Sequence, residues 1–120
     1  MNTADIIFSK IRSYRINGNK ESDYHAGMKR ILDVANIRYV HEYILSDKDR
    51  IDFYLPDFQI GIEIKIDGSV EQVNRQMRKY ADSDDIRTLF LYTTRNRHIN
   101  VAPELGGKPI YICINGAGVI

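Results

Sequence analysis

The chain has 120 residues, of which 43% are apolar and 28% are charged, and its formal net charge at neutral pH is +1. This composition is typical of one globular domain with an adequate core, and it excludes an intrinsically disordered chain. No apolar run approaches the roughly 18 residues that a membrane span needs, and the first residues lack the hydrophobic segment of a secretory signal, so we expect a cytoplasmic protein without a membrane partner.

Apolar periodicity and turn residues predict a single α/β domain over residues 1–120, with a mixed central sheet flanked by helices. In chain order, helices are expected at 3–14 and 20–36, strands at 38–45, 50–55 and 59–66, a helix at 70–81, and strands at 86–93 and 109–115. Cys113 lies in the last strand. With no second cysteine in the chain, a disulfide framework is excluded, and we expect a buried, inert thiol.

The second and third strands carry charges within core-building segments. Alternation along the second strand puts Asp52 on a polar face with Arg50 and Tyr54. In the third strand, Glu63 and Lys65 share a face opposite three isoleucines. If the short turn between the strands pairs them as an antiparallel hairpin, Asp52 and Glu63 become neighbours across the ladder.

Two carboxylates placed this close repel each other unless a cation lies between them. Their oxygens bind a hard divalent cation, which activates water and stabilises charge on a phosphate, while the Lys65 ammonium orients the water or offsets phosphate charge. The pattern of Asp52, Glu63 and Lys65 therefore predicts phosphodiester hydrolysis. The alternative is a solvated hairpin face on which Glu63 and Lys65 form an ion pair that adds little stability.

The helix that follows the hairpin carries a polar stripe. Gln72, Gln76 and Tyr80 recur at four-residue steps and therefore share one face, beside Arg75 and Lys79. Taken alone, such a stripe is typical of an ordinary polar helix surface. Next to the hairpin, it would meet the metal site and the phosphates of DNA.

Asp52 on one hairpin strand and Glu63-Ile64-Lys65 on the next resemble the motif of the PD-(D/E)XK nuclease superfamily. Gln76 and Tyr80 resemble the Gln-x-x-x-Tyr motif of its RecB-like branch. The layout is closest to compact RecB-like and virus-type replication-repair (VRR-NUC) nuclease domains, and the resemblance covers residues from about 20 to 93.

The resemblance implies a restriction-endonuclease-like core and a deoxyribonuclease that depends on Mg²⁺ or Mn²⁺. Asp52 and Glu63 would bind the metal, and Lys65 would position the attacking water. Gln76 and Tyr80 would support the site. A chain this small offers limited surface for DNA, which is consistent with a homodimer and with structure-selective cutting.

Nucleases of this superfamily also place a glutamate or, in RecB-like members, a histidine on the helix before the hairpin as a further metal ligand. Glu21 and His25 both match this position, at the N-terminal end of the apolar stripe of the second helix. If Ser22 caps that helix in place of Asn19, Glu21 precedes it and His25 is the better candidate. The alternative for His25 is a hydrogen-bonded histidine at the core margin. His41 and Glu42, on the first strand, are interpreted as part of a half-exposed strand face; the alternative is that they add a polar ligand to the site.

Cationic and amide side chains on the stripe-bearing helix and in a later surface loop are candidate contacts to DNA. They are Gln72, Arg75, Lys79, Arg95 and Arg97. Each is equally typical of a solvated face, and a net charge of +1 is low for a nucleic-acid binder. The main alternative function is a catalytically silent nuclease-like fold that binds DNA or protein. A small α/β interaction module is a further alternative, but it leaves the Gln76 and Tyr80 spacing unexplained.

Overall fold

In the described part of the chain, six strands form one mixed sheet, and three α-helices pack against it. The computed structural model describes residues 1–118. In chain order the elements are α1 (Thr3–Arg12), α2 (Glu21–Val34), β1 (Val40–Ile44), β2 (Arg50–Leu55), β3 (Ile60–Lys65), α3 (Val70–Ala81), β4 (Thr88–Thr93), a 3₁₀ turn (Asn96–Asn100), β5 (Glu104–Leu105) and β6 (Lys108–Ile114). The predicted class, an α/β fold with helices flanking a mixed sheet, is confirmed.

The strand order in the sheet is β1-β2-β3-β4-β6-β5. β2 runs antiparallel to β1 and to β3, whereas β4 runs parallel to β3 and to β6. Helix α3 connects β3 to its parallel neighbour β4. The chain leaves β3 at Lys65 and enters α3 after the N-cap residue Ser69. The predicted catalytic segment therefore lies at the carboxyl end of a parallel strand, where ligands bind in open α/β sheets.

Apolar clusters cover both faces of the sheet. On one face α1 and α2 pack over three isoleucines of β3. On the other face α3 packs over Leu89 and Leu91 of β4. All of β3 except Lys65 is buried, and Glu63 is buried with it. The polar face predicted for β3 is therefore not a solvent-facing surface, because helices cover both sides of the parallel part of the sheet.

The regular alternation predicted for β2 is wrong at Asp52. Phe53 packs in the cluster under α1 and α2, whereas Ile51 and Tyr54 pack in the cluster under α3. A regular strand would place Ile51 on the same face as Phe53. Pairing between β2 and β3 begins at Phe53, immediately after Asp52. Tyr54, which was expected on a polar face, is buried.

The irregularity at Asp52 has a counterpart on β1. Glu42, whose place in the register is opposite Asp52, lies between the paired residues His41 and Tyr43 and has a φ of 57°. A side chain other than glycine is uncommon in this left-handed region and is strained there. Regular pairing is therefore interrupted on both sides of Asp52, which leaves its backbone and carboxylate free for other partners.

The start of α2 differs from both predicted alternatives. The N-cap residue is Lys20, so neither Asn19 nor Ser22 caps the helix. The Asp23 carboxylate accepts hydrogen bonds from the backbone N–H groups of Asn19 and Lys20, at 2.9 and 3.3 Å. Asp23 is the third helical residue, and hydrogen bonds to a side chain at that position fix the point at which the chain enters a helix. Glu21 is therefore helical and lies one turn before the histidine.

Smaller differences concern the ends of elements. α1 ends at Arg12 and β4 begins at Thr88, so each is two residues shorter than expected at that end. The 3₁₀ turn and β5 have no counterpart in the sequence prediction, and β5 pairs antiparallel with β6. Within residues 1–118, none of the helices is both long and apolar enough to cross a bilayer.

Candidate active site

The carboxylates of Asp52 and Glu63 take over hydrogen bonds that a regular β2–β3 ladder would make. The Asp52 backbone N–H donates to Glu63 Oε1 at 3.2 Å. The Ile64 backbone N–H donates to Asp52 Oδ2 at 2.8 Å. These two bonds hold the predicted acidic pair side by side at the point where the two strands separate.

Burial makes the charged forms of these carboxylates unfavourable. Glu63 is 4% exposed, and its burial, together with the neighbouring Asp52 charge, raises its pKa to about 8. Burial also raises the pKa of Asp52, against the opposing effect of the bond from the Ile64 N–H. Lys65 Nζ lies 3.5 Å from Glu63 Oε2 and favours the ionised form of Glu63. A second cation near the pair would therefore stabilise both charges at neutral pH.

Helix α3 contributes two side chains that hold Glu63. The Tyr80 hydroxyl lies 3.1 Å from Glu63 Oε2 and 3.1 Å from the backbone oxygen of Arg50, and its proton is available to either acceptor. Gln76 Nε2 donates to the Tyr80 oxygen at 2.8 Å. Burial and the Glu63 charge raise the pKa of Tyr80, so the hydroxyl stays protonated and remains a donor. The predicted Gln76–Tyr80 stripe therefore faces the acidic pair.

Three potential ligand atoms converge beside this pair. One atom each from Glu21, His25 and Asp52 lies within 4.8 Å of the other two. His25 Nε2 is 3.4 Å from Glu21 Oε1 and 3.8 Å from Asp52 Oδ2. Glu21 and His25 were predicted as alternatives, and the structure brings both to the same place.

The nitrogen at the centre of this cluster has no hydrogen-bond partner among residues 1–118. His25 Nε2 is buried and faces two carboxylates, but no described residue makes a hydrogen bond with it. A buried polar atom without a partner is costly and rare in a native structure. One imidazole nitrogen and two carboxylate oxygens are a donor set that suits Mn²⁺ and similar divalent cations, and the residues present therefore fit such an ion. Among the described residues, Glu63 lies outside this three-residue cluster, although it is bonded to Asp52.

His41 is half-buried on β1, as expected, and it also contacts His25. Its Nε2 lies 2.8 Å from His25 Nδ1, and its ring packs against Phe53 with a centroid separation of 4.8 Å. Burial lowers the pKa of His41, and the nearby Lys29 charge lowers it further. The sequence signal was the position of His41 on the strand next to Asp52, but the β1–β2 register that brings it to α2 is not readable from spacing.

A basic groove lies on the α3 side of the site. It encloses about 450 Å³ and is lined by both ends of the loop that leads from β3 into α3. Its four cationic side chains, Lys48, Lys65, Arg75 and Lys79, outnumber its two carboxylates, Asp49 and Asp67. Gln72 and Gln76 also line it, and Gln72 Oε1 additionally accepts the Ser69 N–H to close the helix cap. Three of the predicted DNA contacts, Gln72, Arg75 and Lys79, therefore share one groove with Lys65.

Arg95 and Arg97 do not line this groove, but they hold the loop after β3, and Arg97 contacts the groove residues Asp67 and Gly68. Arg95 Nε donates to the Ile66 backbone oxygen at 2.8 Å. Arg97 donates to the Gly68 oxygen and forms a 2.7 Å ion pair with Asp67. The segment predicted as a surface loop contains a 3₁₀ turn; residues 95–97 are exposed as expected, whereas His98 is fully buried.

Comparisons of the chain with protein-family models, curated proteins and solved structures found no match. The residues of the site alone therefore carry the functional proposal.

Proposed function

We propose that this protein is a nuclease that hydrolyses DNA phosphodiester bonds with the help of Mg²⁺ or Mn²⁺. The observation that carries the proposal is the convergence of Glu21, His25 and Asp52 around a buried nitrogen without a partner, next to the Glu63–Lys65 pair. The resemblance of the hairpin and of the helix motif to PD-(D/E)XK nucleases supports the same reaction. A cytoplasmic location would give such an enzyme access to DNA.

A divalent cation bound by the cluster would supply Lewis-acid chemistry for a phosphate oxygen and a water nucleophile. The protein's own residues prepare the surroundings of that ion. Tyr80 and the Asp52 N–H fix the two oxygens of Glu63. Glu63 in turn holds the Lys65 ammonium, which is partly exposed and faces the basic groove. Lys65 is thereby placed to orient a water molecule or to offset the negative charge of a phosphate.

The basic groove supports DNA as the substrate. Lys48, Arg75 and Lys79 line it together with Lys65, so a nucleic-acid strand lying in it would meet ammonium and guanidinium groups leading to the site. Contacts of this kind neutralise phosphates and release counterions. Binding should therefore weaken as salt concentration rises.

The decisive experiment combines a substrate panel with two matched carboxylate variants. Wild-type protein is incubated with labelled linear, nicked, flapped, four-way and single-stranded DNA in Mg²⁺, Mn²⁺ or chelator. Asp52→Asn should reduce cleavage by about 100-fold or more, because a metal ligand contributes several kcal/mol to the transition state. Asp57→Asn is the control, since Asp57 is exposed and forms its ion pair with Arg38. Equal activity of the two variants, or cleavage that survives chelator, would contradict the proposal, whereas metal and DNA binding without cleavage would indicate the silent binding module.

A further inference from the structure

The geometry points to His41 as a positioning residue that holds His25 in the tautomer able to bind a cation. This inference rests on the proposed metal site. His41 is not itself part of the cluster of Glu21, His25 and Asp52. Its role would be exerted entirely through the ring of His25.

The tautomer follows from one hydrogen bond. A 2.8 Å contact joins His25 Nδ1 to His41 Nε2, and only one of these two nitrogens carries the shared proton. When the proton is on His25 Nδ1, the Nε2 atom presents a lone pair to Glu21 and Asp52. When the proton is on His41, neutral His25 must carry its own proton on Nε2, and that proton blocks coordination.

The surroundings of His41 allow it to act as the acceptor. His41 lines an open cleft between α2 and β1, together with Lys29 and Glu42. A neutral His41 whose Nε2 accepts the bond carries its proton on Nδ1. Its ring packs against Phe53, at 4.8 Å between centroids, and meets the His25 ring edge to face at 5.1 Å. Metal-bound histidines are in general fixed in this way by an acceptor at the other ring nitrogen.

A chemical distinction between substitutions tests the inference. His41→Gln keeps an oxygen that can accept the bond from His25 Nδ1, whereas His41→Phe keeps a ring of similar shape without an acceptor. Ile44→Gln introduces the same amide at a position on β1 that is 70% exposed, and it serves as the control. Mn²⁺ affinity is measured by electron paramagnetic resonance. Urea unfolding of each metal-free variant is measured in parallel.

We expect His41→Phe to weaken Mn²⁺ binding by about 10- to 100-fold, the range seen when an outer partner of a ligand is removed. His41→Gln should stay within about threefold of wild type, and Ile44→Gln should be unchanged. The free energy of unfolding of metal-free His41→Phe should fall by less than its free energy of Mn²⁺ binding, because an aromatic ring still packs against Phe53. In saturating Mg²⁺, the ring ¹⁵N shifts of His25 should place the proton on Nδ1.

The outcomes separate the two proposals. If wild type binds Mn²⁺ but His41→Phe binds it equally well, the positioning role is wrong while the metal site stands. If His41→Gln loses as much affinity as His41→Phe, or if the proton of Mg²⁺-bound His25 lies on Nε2, acceptance by His41 is wrong. If wild type binds no Mn²⁺, the proposed metal-dependent function fails, and the role of His41 fails with it.

Discussion

At the scale of single residues, Glu63 is subject to opposing influences. Its burial and the adjacent Asp52 disfavour its charge, whereas Lys65 and the Tyr80 hydroxyl favour it. The first two effects are larger, so the pKa rises to about 8. In the absence of a divalent cation, Glu63 therefore binds a proton near neutral pH that the same side chain lacks in the unfolded chain.

This difference predicts a pH dependence of stability. The pKa of Glu63 is about 8 in the folded protein and 4.5 in the ordinary carboxyl group, so the folded state holds the extra proton between these values. The contribution of the raised Glu63 pKa to the free energy of unfolding is fully present below the lower pKa and is lost as pH rises through the higher pKa. In chelator, the free energy of unfolding should therefore fall as pH rises from about 4.5 to about 8 and change little above that.

Glu63→Gln should flatten that dependence, because the amide does not titrate. Urea denaturation of both proteins at the two pH values measures the difference between their slopes. A variant with the same slope as wild type would show that Glu63 ionises normally in the fold.

A second residue-scale prediction concerns the ligands. Because Glu21 and His25 converge with Asp52, both Glu21→Gln and His25→Ala should lower activity. The two variants should differ in metal preference, since imidazole suits Mn²⁺ whereas Mg²⁺ prefers oxygen. His25→Ala should lose more activity with Mn²⁺ than with Mg²⁺, and steady-state rates in each metal measure this ratio. Full activity in both variants would remove α2 from the site.

At the scale of elements, α3 serves as a support for the acidic pair. Its apolar residues Val73 and Met77 pack against the sheet. The last turn of the helix places the Tyr80 hydroxyl next to Glu63. The capping box of Ser69 with Gln72 fixes where the helix begins. The position of the helix start therefore determines where Tyr80 lies along β3.

Removal of the Tyr80 hydroxyl tests this support. Tyr80→Phe should cost about 1–3 kcal/mol of folding stability, because a buried acceptor loses its donor. The turnover number should fall while the Michaelis constant for DNA changes little, since Tyr80 lies behind Glu63 and outside the lining of the basic groove. Thermal unfolding and steady-state kinetics measure the two effects. Tyr39→Phe is the control, since Tyr39 packs against Phe53 on the other side of the sheet. A stable Tyr80→Phe variant with unchanged turnover would contradict the role of α3.

At the scale of the whole molecule, the site lies between two surfaces of different character. The cleft between α2 and β1 is lined by Glu21, His25 and His41, and the basic groove lies beside α3. Two of the proposed metal ligands, Glu21 and His25, line the first surface, and Lys65 lines the second. A DNA strand in the groove would therefore approach the carboxylates from the α3 side.

The groove predicts a defined salt dependence. Arg75→Ala and Lys79→Ala should each raise the Michaelis constant for DNA with little change in turnover, and each should reduce the salt slope of binding by about one unit per lost phosphate contact. Fluorescence anisotropy with the Asp52→Asn protein, at several salt concentrations, measures the slope. Arg38→Ala is the control, because Arg38 pairs with Asp57 away from the groove. If all three substitutions change the slope equally, the effect is one of net charge and not of the groove.

The sequence by itself determined the features that depend on local spacing. Alternation located the β2–β3 hairpin, and the four-residue step placed Gln76 and Tyr80 on one face of α3, because strand and helix periods are properties of the backbone. The pairing of Asp52 with Glu63 followed from the same hairpin. The fold class followed from the order of these elements.

Only the tertiary structure decided the features that depend on which distant segments meet. The change of face at Asp52 packs Ile51 in the cluster under α3 and Phe53 in the cluster under α1 and α2, whereas strand periodicity assumes one face for both. The convergence of Glu21 and His25 with Asp52 requires the packing of α2 on the sheet. The hydrogen bond between His25 and His41 also requires the β1–β2 register. The packing and the register are set by long-range contacts, for which a single sequence carries no local signal.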